Sequence, residues 1–435
     1  MAATPAENGL PSRRAALAIL EQVRAGRPFD SALDQALGPL REPDRRLAHE
    51  LAAGVLRQRT GLDERLEPLA TRGWAGVPPT LRNILRLGAY QLTALDRVPP
   101  HAAVSTSVEL AREAGGARAG GFVNALLRRL GRQAPKKRKG VGPLDLAARH
   151  SHPEWLVRRW LDRFGPDQTD RLLRWNNARP ALVLQPARAS GEAITRRLEA
   201  AGLRVTPAPW GAGVVVAASR PDRLPGYAEG DFLVQDPAQS LVAWYAGLPP
   251  ASLAYDACAA PGGKTIGLAR TGVRVLSGDL SRPRVARLRE NLRRSGTGRE
   301  LVIVADARHP PLARSEAVLL DAPCLGTGTF ARHPDARWRV KPEALAALAE
   351  RQAELLAAAA PIVRPGGWLV YATCSLEPEE NELQVEGFLR SHPDFRRDPP
   401  DDLPPPLLTA KGDLMTLPQR DRMDGAYAAR LTRLA

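Results

Sequence analysis

Three cysteines follow apolar runs in the C-terminal half of this 435-residue chain, which contains no others. Cys258 lies in DACAAPGGKT, Cys324 in DAPCLGTGTF and Cys374 in VYATCSLEPEE. The runs LAYDAC, AVLLDAPC and WLVYATC predict buried strands that end in loops, two of them at the carboxylates Asp256 and Asp321. Because ligands of open α/β sheets bind at the carboxyl ends of the strands, the motifs predict one crevice for thiol chemistry on a bound substrate.

Two glycines after the first of these strands predict a cofactor turn. Gly262 and Gly263 precede a helical stretch, and glycine lets the backbone approach a ligand closely. Lys264 does not belong to a phosphate loop, since GxxxxGK[ST] would require glycine in place of Cys258. The sequence also lacks GxGxxG here, which disfavours a dinucleotide, whereas an adenosine with a charged amino-acid tail suits this looser turn.

Carboxylates end the next two predicted strands. VRVLSGD ends at Asp279, at about the spacing of 20 residues where a carboxylate accepts hydrogen bonds from a cofactor ribose. LVIVAD ends at Asp306, in position for an adenine amino group. Either carboxylate could instead cap the helix that follows it.

The charge balance suits a polyanionic partner such as nucleic acid, although a high-GC genome that prefers arginine over lysine raises the isoelectric point without any partner. The net charge is +15, and the first 150 residues hold 24 basic and 14 acidic side chains. The sequence shows neither a disulfide framework, nor a secretory signal, nor an apolar run long enough to span a bilayer, so we expect a cytoplasmic protein without a membrane segment. His150 and His152 have no partners at metal-ligand spacing, so we expect no metal site.

The periodicity of the sequence predicts four regions. Residues 1–132 predict an all-α bundle, and residues 133–143, QAPKKRKGVGP, predict a basic linker. Residues 144–240 combine an amphipathic helix, HPEWLVRRWLDRFG, with strand-like segments such as ALVLQPA and AGVVVAAS, and predict a small α/β subdomain that faces RNA. In residues 241–435 strands and helices alternate, which predicts a mostly parallel α/β sheet.

The three cysteine motifs resemble the core motifs of the Sun/Fmu group, in the RsmB/NOP family of RNA 5-cytosine methyltransferases, which use S-adenosylmethionine. RRAALAIL, HELAAGVLRQR and GGFVNALLRRL resemble the NusB-like RNA-binding domain of that group. The resemblance implies a NusB-like helical domain, then a Rossmann-like class I S-adenosylmethionine-dependent methyltransferase domain. It also implies a cytosine of small-subunit (16S) ribosomal RNA as the target, and a monomer. Departures at Gln185-Pro186-Ala187 and at Ala426 concern individual RNA contacts rather than methyl transfer.

The resemblance also implies a role for each matching residue. Cys374 attacks carbon 6 of the cytosine, Cys324 serves product release, and Asp321 contacts N3 of the base. The residues implied to bind the cofactor lie in the glycine turn, on the following helices and at the strand ends: Cys258, Ala259, Ala260, Pro261, Gly262, Gly263, Lys264, Asp279, Arg284, Asp306 and Asp321.

A cysteine nucleophile suits this reaction because carbon 5 of cytosine is a poor nucleophile until a thiolate adds at carbon 6. A thiol with an ordinary pKa of about 8.5 is mostly protonated at neutral pH. A nearby positive or hydrogen-bonding group should therefore assist it.

Other functions are compatible with parts of this pattern. The same core could act on transfer RNA or on another ribosomal cytosine, and a noncatalytic RNA-binding assembly factor could retain the fold. The NusB-like region favours small-subunit ribosomal RNA, and the presence of both Cys324 and Cys374 argues against a noncatalytic role. DNA 5-cytosine methylation is disfavoured because those enzymes lack a Thr-Cys-Ser partner. After the Cys324 motif, Arg332, His333 and Arg337 could hold RNA phosphate or belong to a solvated loop.

Overall fold

The helical and strand patterns of the sequence form two separate units. The structure, a computed structural model, describes residues 9–71, 73–133, 140–218, 220–296 and 301–435. The helical unit comprises Met1–Ala178 and Phe330–Arg339, and the sheet unit comprises Arg179–Thr329 and Val340–Ala435. The four basic residues of the predicted linker, 136–139, lie outside the described residues. The predicted domain boundaries at residues 132, 143 and 240 stay predictions.

The helices are numbered in chain order: α1 (Leu10–Arg24), α2 (Phe29–Leu37), α3 (Glu42–Leu66), α4 (Pro79–Ala94), α5 (Pro100–Leu130), α6 (Pro143–His150), α7 (Glu154–Asn177), α8 (Gly191–Ala200), α9 (Pro237–Ala246), α10 (Gly263–Arg270), α11 (Arg282–Ser295), α12 (Ala336–Arg339), α13 (Pro342–Ala359), α14 (Glu382–Ser391) and α15 (Pro418–Asp421). The strands are β1 (Leu182–Pro186), β2 (Val205–Pro207), β3 (Val214–Val216), β4 (Phe232–Val234), β5 (Leu253–Asp256), β6 (Arg274–Asp279), β7 (Leu301–Val304), β8 (Ser315–Asp321), β9 (Val363–Thr373), β10 (Phe395–Arg397), β11 (Leu414–Thr416) and β12 (Ala426–Arg433). None of the described helices combines the length and the apolar character that a membrane crossing needs.

Helices α1 to α5 form the bundle that the three-and-four spacing of apolar residues predicts for residues 1–132. Their apolar faces meet in a core in which Leu51, Ile84 and Leu127 are fully buried. Helix α5 bends at Gly115 and Gly116, where Gly116 has a φ of 72°, a value that glycine adopts without steric cost. The predicted all-α N-terminal fold is confirmed.

The segment Phe330–Arg339 belongs to the helical unit, although the sequence places it between two strands of the sheet unit. Arg337 is fully buried there and donates hydrogen bonds to Asn177 Oδ1 at 2.6 Å and to the Asn176 carbonyl at 2.7 Å. Burial lowers the pKa of Arg337 to about 9. The suggestion that Arg337 holds RNA phosphate is therefore wrong, because its side chain does not reach the surface.

The main sheet of the sheet unit has the strand order β10-β12-β9-β8-β5-β6-β7, and β11 pairs with β12. The pairs from β9 through β7 are parallel, whereas β12 pairs antiparallel with β9 and β10. Val318, Leu319 and Leu320 in β8 are fully buried, as expected for a parallel sheet with both faces covered. The predicted Rossmann-like, mostly parallel fold is confirmed.

A second, antiparallel sheet has the order β2-β3-β1-β4 and packs against α8. Leu184, Ile194 and Phe232 are buried in the core between them. The predicted strands ALVLQPA and AGVVVAAS correspond to β1 and β3. Gln185, one of the departures from the family pattern, lies in β1 and donates from Nε2 to the Ala212 carbonyl at 2.8 Å.

The order of the central strands brings the cysteine motifs to one edge of the main sheet. Strand β8 lies between β5 and β9, and Asp321 at its end pairs in register with Ala372 of β9. Because these strands are parallel, the loops after them, which carry Cys258, Cys324 and Cys374, emerge side by side.

Candidate active site

The thiols of Cys324 and Cys374 lie in contact at the carboxyl ends of β8 and β9. Cys374 directly follows β9, and its Sγ is 3.4 Å from Sγ of Cys324. Both side chains are half-buried. The contact with Cys374, together with burial, raises the pKa of the Cys324 thiol well above its usual value. Two thiols at this distance can act in turn on one bound group.

Glycine and asparagine contacts hold the Cys374 loop. The Gly328 amide donates to the Cys374 carbonyl at 3.0 Å, and a Cβ on Gly328 would lie only 2.8 Å from that oxygen. Asn381 accepts a hydrogen bond from Thr373 Oγ1 at 2.5 Å and donates to the Ser375 carbonyl at 2.9 Å. The residues on both sides of Cys374 are therefore fixed.

A buried ammonium group lies beside these residues. Lys264, in the first turn of α10, donates from Nζ to Asp321 Oδ2 at 2.7 Å and to Gln239 Oε1 at 2.5 Å. Burial disfavours the charge of Lys264, but Asp321 outweighs that effect, so the pKa of Lys264 lies above its ordinary value. A negative charge at Cys374 acts in the same direction. Lys264 is therefore cationic at neutral pH, in contact with Asp321.

The glycine turn before α10 is built by close packing. Gly262 has a φ of 109°, and a Cβ there would lie 2.8 Å from Leu288 Cδ1. A Cβ on Gly263 would lie 2.5 Å from Gln235 Nε2. Burial raises the pKa of nearby Cys258 to about 12, so this thiol stays protonated at neutral pH.

Asp279 ends β6, and Arg284 links its carboxylate to the loop that contains the glycine turn. Arg284 lies 3.2 Å from Asp279 Oδ2 and donates to the Ala260 carbonyl at 2.9 Å. The Ser281 amide donates to Asp279 Oδ1 at 3.0 Å. Asp279 therefore orders the start of α11, and its carboxylate stands at the strand end where a ribose was predicted.

Asp306 follows β7 and is held by Arg308, whose guanidinium donates to Oδ2 at 2.7 Å. This hydrogen bond lowers the pKa of Asp306 to about 2. Asp306 is therefore ionised at neutral pH, and a ligand amino group at this position would share the carboxylate with Arg308.

Asp256, at the end of β5, carries a fully buried carboxyl group. Thr265 Oγ1 donates to Asp256 Oδ2 at 2.7 Å and lies 3.2 Å from Ser277 Oγ. Asp256 Oδ1 is buried and has no hydrogen-bond partner in the part of the chain that the structure describes. Burial raises the pKa of Asp256 to about 7.

The two histidines considered as metal ligands have structural contacts in the helical unit. His150 Nε2 is 2.8 Å from Asp170 Oδ1, and His152 Nδ1 is 2.8 Å from the His150 carbonyl oxygen. Burial lowers the pKa of both histidines. Over the described ranges, no group of three or more His, Cys, Asp or Glu side chains is placed to hold a metal ion.

The structure brings Asp321, Cys324 and Cys374 together, and it places Lys264, predicted to bind the cofactor, in contact with Asp321. Sequence reasoning missed Glu380, which is fully buried and accepts a hydrogen bond from the residue after Cys324. The acidic run that follows Cys374 could have indicated Glu380, because a glutamate is rarely buried without a partner.

Comparison with known proteins gives three matches to family models. They are 16S rRNA methyltransferase RsmB/F over residues 249–432, the NusB family over residues 10–132, and the ferredoxin-like domain of RsmF/B-like methyltransferases over residues 152–221. The chain is 36% identical to the probable ribosomal RNA small subunit methyltransferase B of Synechocystis sp., across 97% of this chain and 99% of that protein. It is also 36% identical to ribosomal RNA small subunit methyltransferase B of Vibrio cholerae, across 96% of each.

Two solved structures share the fold. The match to the crystal structure of PH0851 covers 99% of this chain and 100% of the PH0851 chain, with a TM-score of 0.83 and 25% sequence identity. The match to the crystal structure of NSun6 from Pyrococcus horikoshii with SFG covers 65% of this chain and 98% of the NSun6 chain, with a TM-score of 0.59 and 18% sequence identity.

Replacing Asp256 by asparagine should flatten the pH dependence of stability. The folded-state pKa is raised to about 7, so the carboxyl group's contribution to stability is present at low pH and is lost as the pH rises through about 7. Thermal melting from pH 5 to pH 8 should show Asp256→Asn gaining stability relative to the parent protein as the pH rises. The exposed Asp401, replaced in the same way, should give no such trend. A constant difference for Asp256→Asn across this range would contradict the burial argument.

Proposed function

Since the chain belongs to the 16S rRNA methyltransferase RsmB/F family, we propose that it methylates carbon 5 of a cytosine in small-subunit ribosomal RNA, as a cytoplasmic monomer. The observation that carries the proposal is the 3.4 Å contact between Cys324 and Cys374 beside the Lys264–Asp321 pair. One thiol can form a covalent bond to the base while the second assists its release. Methylation at nitrogen or at a ribose hydroxyl would use neither thiol.

In this proposal Cys374 attacks carbon 6 of the cytosine. Attack requires the thiolate, and a cation nearby favours it over the thiol. Lys264 supplies that cation, because a negative charge at Cys374 and the charge of Lys264 stabilise each other. Lys264 is therefore proposed as the positive group that we expected near the attacking thiol.

Electrons displaced by the attack reach N3 of the ring, where Asp321 is proposed to act. Asp321 is a hydrogen-bond acceptor from Lys264 in the structure, so it needs a proton before it can donate to N3. Lys264 can pass a proton through Asp321 to N3, and it can take that proton back when the ring regains its double bond. The pair would thus hold one proton through the reaction.

S-adenosylmethionine, when bound, supplies the methyl group that becomes attached to carbon 5. The residues at the ends of β5, β6 and β7 suit this molecule. The turn at Gly262 and Gly263 can bring the backbone close to a ligand, and the Asp279 carboxylate can accept hydrogen bonds from ribose hydroxyls. Ionised Asp306 can accept one from the adenine amino group.

Release requires that the proton on carbon 5 leave, that the ring double bond re-form and that the sulfur of Cys374 depart. Cys324 lies 3.4 Å from that sulfur, and its raised pKa keeps it a thiol. It can give its proton to the departing sulfur of Cys374 and then accept the proton from carbon 5. Both thiols are then protonated, and Cys374 loses the extra proton to solvent before the next attack.

Removing the Asp279 carboxylate should weaken cofactor binding. We expect Asp279→Ala to weaken the binding free energy of S-adenosylmethionine by about 1.5 to 3 kcal/mol, the range for hydrogen bonds to a charged group. Calorimetry on the folded variant measures this. Asp401→Ala, which removes an exposed carboxylate outside the strand ends, is the matched control and should leave the affinity unchanged. Unchanged affinity in Asp279→Ala would remove Asp279 from the site.

The two thiols should fail differently when each is removed, which tests the proposed reaction. In Cys324→Ala, Cys374 can still attack the cytosine and carbon 5 can still receive the methyl group. The variant should then stall with Cys374 bonded to the RNA. Incubation with 16S rRNA and S-adenosylmethionine should therefore give an adduct that survives denaturing electrophoresis, and adding Cys374→Ala should abolish it. The parent protein should instead release RNA whose nucleosides include 5-methylcytidine.

The opposite assignment of the thiols predicts the adduct in Cys374→Ala. An adduct there, or none in either folded single variant, would overturn these roles. Methylation of transfer RNA in place of 16S rRNA would retain the chemistry and refute the proposed substrate.

A further inference from the structure

A single buried glutamate contacts both the loop of Cys324 and the strand that leads to Cys374. Glu380 lies in the turn between β9 and α14 and is fully buried. The Leu325 amide, directly after Cys324, donates to both of its oxygens, at 3.0 and 3.2 Å. The Tyr371 hydroxyl, on the strand that leads to Cys374, donates to the Glu380 carbonyl oxygen at 2.6 Å.

A glutamine from another helix completes this arrangement. Gln352, on α13, donates from Nε2 to Glu380 Oε1 at 3.0 Å and to the Pro323 carbonyl at 2.9 Å. Burial raises the pKa of Glu380, and the hydrogen bonds from Leu325 and Gln352 oppose that effect because they favour the ionised carboxylate. Among the described residues, no ion pair joins Glu380 to a lysine or an arginine. Its negative charge is therefore directed at its neighbours without a cation between them.

The cysteines experience unequal charges as a result. Cys324 is faced by Cys374, Glu380 and the hydroxyl of Tyr371, and the charge of Glu380 disfavours a second negative charge at Cys324. On the other side, the ammonium group of Lys264 interacts with Cys374. A buried anion and a buried cation thus act on opposite members of a thiol pair whose sulfurs are 3.4 Å apart.

We propose that Glu380 is a positioning residue that sets the contact between the two cysteine loops and keeps Cys324 protonated, so that Cys374 is the thiol that attacks. This inference rests on the proposed function for its meaning in catalysis. The charge difference itself exists without RNA or cofactor and can be measured on the free protein. Glu380 acts through its hydrogen bonds with Leu325 and Gln352 rather than as a catalytic residue.

The test uses the full chain with one thiol left at a time. Replacing two of the three cysteines by serine gives one protein with only Cys324 and another with only Cys374. Alkylation by iodoacetamide is followed by intact mass between pH 6 and pH 11. At pH 8 the Cys374 protein should react several-fold faster than the Cys324 protein. Equal rates, or faster reaction at Cys324, would overturn the proposal even if no Glu380 variant folds.

Substitution of Glu380 then separates its charge from its packing. Glu380→Gln keeps an acceptor oxygen for Leu325 but removes the charge, so the alkylation profile of Cys324 should move to lower pH. Glu380→Asp keeps the charge, so the profile should stay at high pH. Glu379→Gln, in the same turn, is the matched control and should leave the profile unchanged. A merely structural role would change the rate at every pH without moving the profile, and that result in folded Glu380→Gln would contradict the proposal.

These measurements are independent of methyl transfer. Unequal thiols in a protein that produces no 5-methylcytidine would retain the inference and reject the proposed function. Equal thiols in an active enzyme would do the reverse.

Discussion

A buried ammonium group is tolerated only where a partner compensates the loss of water, and the ion pair of Lys264 with Asp321 meets that condition. The two residues come from neighbouring strand ends, with Lys264 held by the glycine turn before α10 and Asp321 ending β8. The pair therefore depends on the parallel order of the sheet. Breaking it would leave a charge uncompensated at the point where Cys374 needs a cation.

The cysteine pair takes its asymmetry from this arrangement and from Glu380 on the opposite side. Two thiols in contact are chemically alike until their surroundings differ, and the difference here is electrostatic rather than a difference in exposure, since both are half-buried. The cation that interacts with Cys374 is Lys264, whereas the anion Glu380 disfavours a negative charge on Cys324. A low local dielectric makes both effects stronger than they would be at the surface.

The sequence was sufficient for the strand ends, because apolar runs that stop at a carboxylate or a cysteine are local signals. It was insufficient wherever the contact joins distant parts of the chain. Arg337 was taken for a surface residue because its burial against Asn176 and Asn177 leaves no mark in its neighbours. Gln352 likewise shows no local sign that it supports the Pro323 carbonyl. The contact of Lys264 with Asp321 joins residues that are 57 positions apart, and it has no local sign either.

The most direct test of the central claim is bisulfite mapping of ribosomal and transfer RNA from cells that lack the gene. Cells that carry the parent gene and cells that carry Cys374→Ala provide the comparison. The account predicts one cytosine of 16S rRNA that resists conversion with the parent gene and is converted in the other two strains. An unchanged 16S rRNA profile in all three strains, or a lost signal in transfer RNA alone, would contradict it.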